Sequence, residues 1–239
     1  MQRELRIKNR NEFLRYLDSV SKINDSAIFE ITPSGISCLV SSIDNTLIQL
    51  SEYKSDFDFT SVLNIPDIKK FQRVIDTLNS DEFTLTLDTN CLEYKGKDIK
   101  FKYHLFEEGF LSKPSLNVEK IKNFDYDVSF EFTRDVLQSL LKGSTFASET
   151  NKVYLYTEGS SVKADLTDRA RHNTDNYSIT ICDSDFELKP TPINFDNIRL
   201  LSNIDNKYTC NINTEYGVVV IDNNTDAIKL KYIISSLTQ

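Results

Sequence analysis

Apolar positions along the chain follow two periods. Phe13, Tyr16, Leu17 and Val20 recur at helical spacing, as do Ile68, Phe71, Ile75 and Leu78. Val136, Leu137, Leu140 and Leu141 form a third such stripe, and Ile198 with Leu201 a shorter fourth. Each stripe is one apolar face of an amphipathic helix, predicting helices over 10–22, 66–78, 133–147 and 194–204. Elsewhere the pattern alternates residue by residue, with Val, Ile, Phe, Tyr and Thr enriched, which marks half-buried strands. In the first half these are 4–8, 27–32, 36–41, 46–52, 56–60, 83–88, 91–95 and 98–106. In the second half they are 126–132, 152–157, 161–166, 176–182, 185–188, 207–213, 216–221 and 226–234. Pro66 suits a first helical turn, where its missing N–H costs nothing. Thr133 suits an N-cap, its hydroxyl oxygen accepting from a free backbone N–H, and Asp67 and Asp135 suit the positive end of a helix dipole.

The two halves carry the same pattern. Ile99-Lys100-Phe101-Lys102-Tyr103 recurs as Ile228-Lys229-Leu230-Lys231-Tyr232, an offset of 129. The alternating segment 83–89 recurs at 208–214 with an offset of 125, and Phe13-Leu14 with Leu17 matches Val136-Leu137 with Leu140 at 123. Thr32-Pro33-Ser34-Gly35 and Thr157-Glu158-Gly159 each end a strand in a glycine turn. Four matches in one order at nearly one offset predict two copies of a single α+β unit. The copies are 1–106 and 125–239, joined by a connector over 107–124 that contains Gly109 and Lys113-Pro114. The connector also carries Leu111, Leu116, Val118 and Ile121, either pinning it to its own domains or forming a docking strip for partners.

Composition narrows the class. The chain has 239 residues, 39% hydrophobic and 27% charged, which is globular and not disordered. No apolar run approaches the ~18 residues of a membrane span, and the N-terminal residues lead into no signal-peptide stretch. The expectation is a soluble intracellular protein with no membrane partner. Cys38, Cys91, Cys182 and Cys210 are scattered through alternating segments and are expected to be buried free thiols.

The net charge of −8 argues against a general nucleic-acid coat, but its placement changes the picture. Opposite the apolar stripes lie Arg10, Arg15 and Lys22; Lys69, Lys70 and Arg73; Arg134 and Lys142; and Arg199. Within the predicted helices nine bases face six acids, a net of +3, so the remainder of the chain holds −11. A basic helix surface on an acidic body is an electrostatic footprint for a polyanion. The bases lack interleaved aromatics and show no Arg/Asn/Gln grouping for base edges, so contact should be to duplex phosphates and independent of sequence.

Chemistry of other kinds finds no anchor. The six glycines never cluster into a phosphate loop. No nucleophile elbow or metalloprotease helix occurs, and the only histidines are His104, placed in a strand, and His172, placed in a loop with Arg169 and Arg171. No catalytic residue, metal ligand set or cofactor is expected.

The duplicated unit, the extended connector and the basic helices on an acidic chain resemble the DNA polymerase sliding clamps, both the bacteriophage clamps and proliferating cell nuclear antigen. The likeness covers essentially the whole chain. Its most specific residues are Ser34-Gly35-Ile36 leading to Ser42-Ile43-Asp44, and Leu230-Lys231-Tyr232 in the last strand. The resemblance implies two tandem clamp domains, antiparallel sheets outside and two helices per domain inside, in a closed ring of three chains. The nine bases would then face DNA. Subunit contacts would pair edge strands carrying Ile99, Phe101 and Tyr103 with Tyr177, Ile179 and Ile181. A partner-peptide pocket would map onto Ile43, Leu116, Val118, Ile233 and Ile234. Implied partners are double-stranded DNA, a DNA polymerase and an ATP-dependent clamp loader, in the cytoplasm, or the host cytoplasm if a phage encodes the chain. A duplicated β-rich structural or virion protein and a monomeric DNA-holding processivity factor are the competing readings.

Overall fold

The computed structural model describes residues 3–116 and 124–237. The chain divides into two compact units, Met1–Ser115 with Thr225–Leu230, and Leu116–Asn224 with Lys231–Gln239.

The first unit runs β1 (Arg3–Ile7), α1 (Arg10–Ser21), β2 (Ala27–Thr32), β3 (Gly35–Ser41), β4 (Leu47–Lys54), β5 (Ser61–Ile65), α2 (Ile68–Asp76), β6 (Phe83–Asp88), β7 (Cys91–Lys95) and β8 (Lys100–His104). The second half of the chain repeats that order as β9 (Val128–Thr133), α3 (Arg134–Gly143), β10 (Lys152–Glu158), β11 (Ser161–Leu166), β12 (Tyr177–Asp183), β13 (Thr191–Asn194), α4 (Phe195–Arg199), β14 (Lys207–Asn213), β15 (Val218–Asn224) and β16 (Ile228–Ser235), of which Ile228–Leu230 count with the first unit. The sheet orders β1-β6-β7-β8 and β5-β2-β3-β4 correspond strand for strand to β9-β14-β15-β16 and β13-β10-β11-β12. The two halves therefore fold alike, as the recurrent pattern predicted.

Packing follows from the stripes. Phe13, Tyr16, Leu17 and Val20 are buried on α1, and Ile68, Phe71 and Ile75 on α2. Phe13 meets Phe71 edge-on at 6.4 Å and Tyr53 of β4 at 5.4 Å, the tilted aromatic geometry that ring quadrupoles favour. In the second unit Leu137, Leu140, Phe195 and Ile198 are buried on their helices, and Phe132 stacks on Tyr208 at 4.8 Å.

Several boundaries differ from the sequence expectation, each for a local reason. The fifth strand is 61–65, not 56–60: Ser55 and Phe57 give their N–H groups to Ser34 O and Pro33 O, and Phe57 buries itself beside Phe59 without laddering. Likewise 185–188 is not a strand. Leu188 is tied to Thr157 and the ladder with β10 begins at Thr191. Pro66 lies outside α2, because Asp67 is the N-cap and its carboxylate accepts from Lys70 N–H at 2.7 Å. α3 stops at Gly143, and Ser144 and Thr145 turn their hydroxyls back onto Leu141 O and Lys142 O. α4 is five residues long instead of eleven. Beyond it Ser202 N–H donates to Tyr232 Oη and Ile204 N–H to the Asn223 side chain, which removes these amides from helical pairing. Cys38, Cys91 and Cys210 are buried free thiols, whereas Cys182 is only half-buried.

Candidate nucleic-acid interface

The helices as observed keep their positive balance. Within α1 to α4 the bases are Arg10, Arg15, Lys69, Lys70, Arg73, Arg134, Lys142 and Arg199, eight in all. The acids are Glu12, Asp18, Asp76, Asp135 and Asp196, five in all, so the net is again +3. Lys22 becomes the C-cap of α1.

The nine predicted bases are not equivalent. Arg10 is half-buried, reaching Asp76 O at 3.5 Å. Lys22 pairs with Asp18 at 3.5 Å and Lys69 with Asp25 at 2.8 Å; the latter hydrogen bond raises the Lys69 pKa. Arg199 bonds Asp196 at 3.1 Å and lies over its neighbour Phe195 at 4.8 Å. Arg134 is exposed and faces the side-chain amide of Asn203. Arg15, Lys70, Arg73 and Lys142 are exposed. Among the described residues Lys70, Arg73 and Lys142 have no ion pair. Such a surface can hold phosphates weakly and at many registers, each contact releasing a counterion.

The predicted subunit-contact residues fall on two strands at sheet edges, β8 and β12, except Ile99, which immediately precedes β8. Ile99, Phe101, Tyr177, Ile179 and Ile181 are half-buried. Tyr103 instead belongs to the core: it is 6% exposed, packs on Phe71 at 4.9 Å, and its Oη donates to Asp67 O at 2.6 Å. Of the predicted pocket residues, Ile43 stands 96% exposed in the β3–β4 loop, which Asp44 shapes by accepting from Ser42 and Thr46. Leu116 and Ile233 are half-buried, Ile234 is buried, and Val118 lies outside the described residues, as does Ile121. The start of the connector is pinned to the first unit by Phe106 N–H on Asn64 O and by the Lys113–Glu30 ion pair.

Three features escaped the sequence reading. Tyr216, in the β14–β15 turn, is 67% exposed and meets Phe124 edge-on at 5.3 Å; the Glu215-Tyr216-Gly217 turn was its only signal. Asp88, Cys91 and Glu93 bring their ligand atoms within 4.8 Å of one another across the β6–β7 hairpin. There Lys95 and Lys102 bond Glu93 at 2.8 and 3.3 Å and already supply the counter-charge a cation would bring. The third is the loop after β11. Arg169 lies over Tyr154 and Tyr156 and bonds Asp165, while Asp168 holds Lys152 and Arg171. His172 is exposed in that loop.

The repeated units define the class: a two-domain α+β sliding-clamp fold. Solved structures that share it include proliferating cell nuclear antigens. The antigen from Entamoeba histolytica matches with a TM-score of 0.75 at 11% identity, covering 99% of each chain. The A. fulgidus PCNA, in a structure with the C-terminal region of FEN-1, matches at 0.76 and 9% identity over 100% of this chain and 99% of that one. PCNA from Thermococcus kodakaraensis matches at 0.74 and 14% identity over 98% and 99%. No family model and no curated protein matches the sequence. Among the described residues no helix is long and apolar enough to cross a membrane.

Proposed function

We propose that this chain is a DNA polymerase sliding clamp: three copies closed head to tail around duplex DNA, with the helices inward, holding a polymerase at its template. The observation that carries the reading is the likeness to clamp structures over 98–100% of the chain, both units included. The basic balance of the helices, on a chain of net −8, supplies the physical complement to a phosphate backbone.

The edge strands support head-to-tail closure. Thr225–Leu230 counts with the first unit, where Lys54 N–H of β4 donates to Ala227 O at 2.8 Å. β12 is the repeat of β4, and β8 is the repeat of β16, which begins at Ile228 within that segment. A neighbouring copy's β8 would lie against β12 in the same way, a heterologous contact that closes into a ring. Ile99, Phe101, Tyr177, Ile179 and Ile181 would sit along that seam. Ile43, Tyr216, Leu116 and Ile233 are the apolar residues we assign to partner docking; Ile234 is fully buried and belongs to the core instead. We assign the two clamp domains to 1–106 and 125–239, with the connector over 107–124.

The function is topological and needs no catalytic residue or cofactor. Weak, equivalent phosphate contacts allow sliding, and a tethered polymerase gains a high effective concentration at the primer end. Ring opening falls to an ATP-dependent loader. Light scattering over a dilution series tests the assembly: a mass near three times 27.5 kDa is expected, and a strict monomer at high concentration contradicts it.

A further inference from the structure

The basic surface is unequally built, and the inequality falls between the two units. In the first, Gln72 Nε2 donates to Leu14 O at 3.4 Å and Phe13 meets Phe71, so α1 and α2 run side by side. Their neighbouring turns carry Arg15, Lys70 and Arg73, all exposed. Lys70 and Arg73 are three residues apart and share a helix face. Neither has an ion pair among the described residues, and Lys70 follows directly on Lys69.

The second unit is built differently. α4 has five residues against nine in α2, and its one base, Arg199, is bonded to Asp196 and seated on Phe195. Arg134 and Lys142 are exposed and have no ion pair among the described residues, but they stand eight residues apart, at opposite ends of α3. An exposed ion pair contributes little to stability, yet the partner carboxylate offsets much of the field its cation would present to a nearby phosphate. In the first unit the same cancellation applies to Lys22 and Lys69 but leaves Lys70 and Arg73 untouched.

We propose that the first unit carries most of the contact to duplex phosphates, through the adjacent Lys70 and Arg73 on α2, and that the second unit contributes less, through the separated Arg134 and Lys142. This rests on the clamp reading. Around a ring of three chains it makes strongly and weakly basic sectors alternate, giving the field threefold and not sixfold symmetry.

The test compares two charge-matched variants, Lys70→Glu/Arg73→Glu and Lys142→Glu/Arg199→Glu, by fluorescence anisotropy on a short labelled duplex with open ends across a salt series. Each lost phosphate contact lowers the slope of log affinity against log salt by about 0.9. The first variant should lose about two in slope and about tenfold or more in affinity at low salt. The second should lose about one in slope, from Lys142, and clearly less affinity than the first. Equal losses, or a greater loss from the second-unit variant, overturn the proposal while leaving the clamp reading intact. A parent protein with no salt-dependent duplex binding overturns both. Thermal melting checks each fold, and the milder Lys70→Gln/Arg73→Gln pair repeats the comparison if the Glu variant melts early.

Discussion

Gly35 sits at φ +143°, and a Cβ placed there would lie 2.1 Å from the carbonyl oxygen of Tyr53. That oxygen is backbone of the paired strand β4 and cannot swing aside. Gly35→Ala therefore combines a strained dihedral with an overpacked strand contact, and should cost about 2–4 kcal/mol, read as a lower urea midpoint. An unchanged midpoint would mean that the β3 entrance relaxes freely. The cysteines give a second residue-scale expectation. Burial pushes the Cys38 and Cys210 thiols far above their ordinary range, and Cys182 upward to a lesser degree. Only the thiolate reacts with alkylating agents. Native protein at pH 8 should label at Cys182 alone on a short timescale, with Cys38, Cys91 and Cys210 labelling after unfolding. Mass spectrometry distinguishes the sites, and rapid labelling of Cys38 or Cys210 would contradict their burial.

At the scale of elements, two N-caps that look alike in sequence behave differently. Asp67 caps α2 through its carboxylate, and Thr133 occupies the N-cap of α3 with no side-chain cap bond. Asp67→Ala should destabilise the protein by about 1 kcal/mol and Thr133→Ala by well under that; equal losses in melting experiments would show that the distinction is illusory. The pair also illustrates what the sequence could and could not disclose. Stripes such as Phe13-Tyr16-Leu17-Val20 and alternating runs such as 83–88 announced their elements because burial on one face demands that spacing. The segments 56–60 and 185–188 alternate equally well, but their backbone groups are satisfied by turn carbonyls and by the Thr157 hydroxyl instead of a ladder. The early end of α4 was illegible for a similar reason, since the Tyr232 hydroxyl and Asn223 amide that take its following N–H groups come from strands far along the chain. Positive charge on the helices could be read from the sequence; which charges are already paired could not, because Asp25 meets Lys69 only through tertiary folding.

For the whole molecule, duplication is the governing fact. One sheet-and-helix pattern written twice leaves β8 and β12 at sheet edges, where unpaired backbone groups are a liability unless a partner strand meets them. Self-association along these edges would answer that liability and, in the same step, form the proposed ring. The positively balanced helices on a net-negative chain then suit a structure that holds DNA loosely inside and repels it outside.

Encirclement is a topological property, so the deciding measurement must separate it from surface binding. A duplex is fixed to a bead by one end, the protein is threaded from the open end at high concentration, and that end is then closed with a bulky bound protein. After a high-salt wash, which removes electrostatic contacts, the protein should remain on closed duplex and leave when a restriction enzyme cuts the DNA. Equal loss from closed and open duplex in the wash would contradict encirclement.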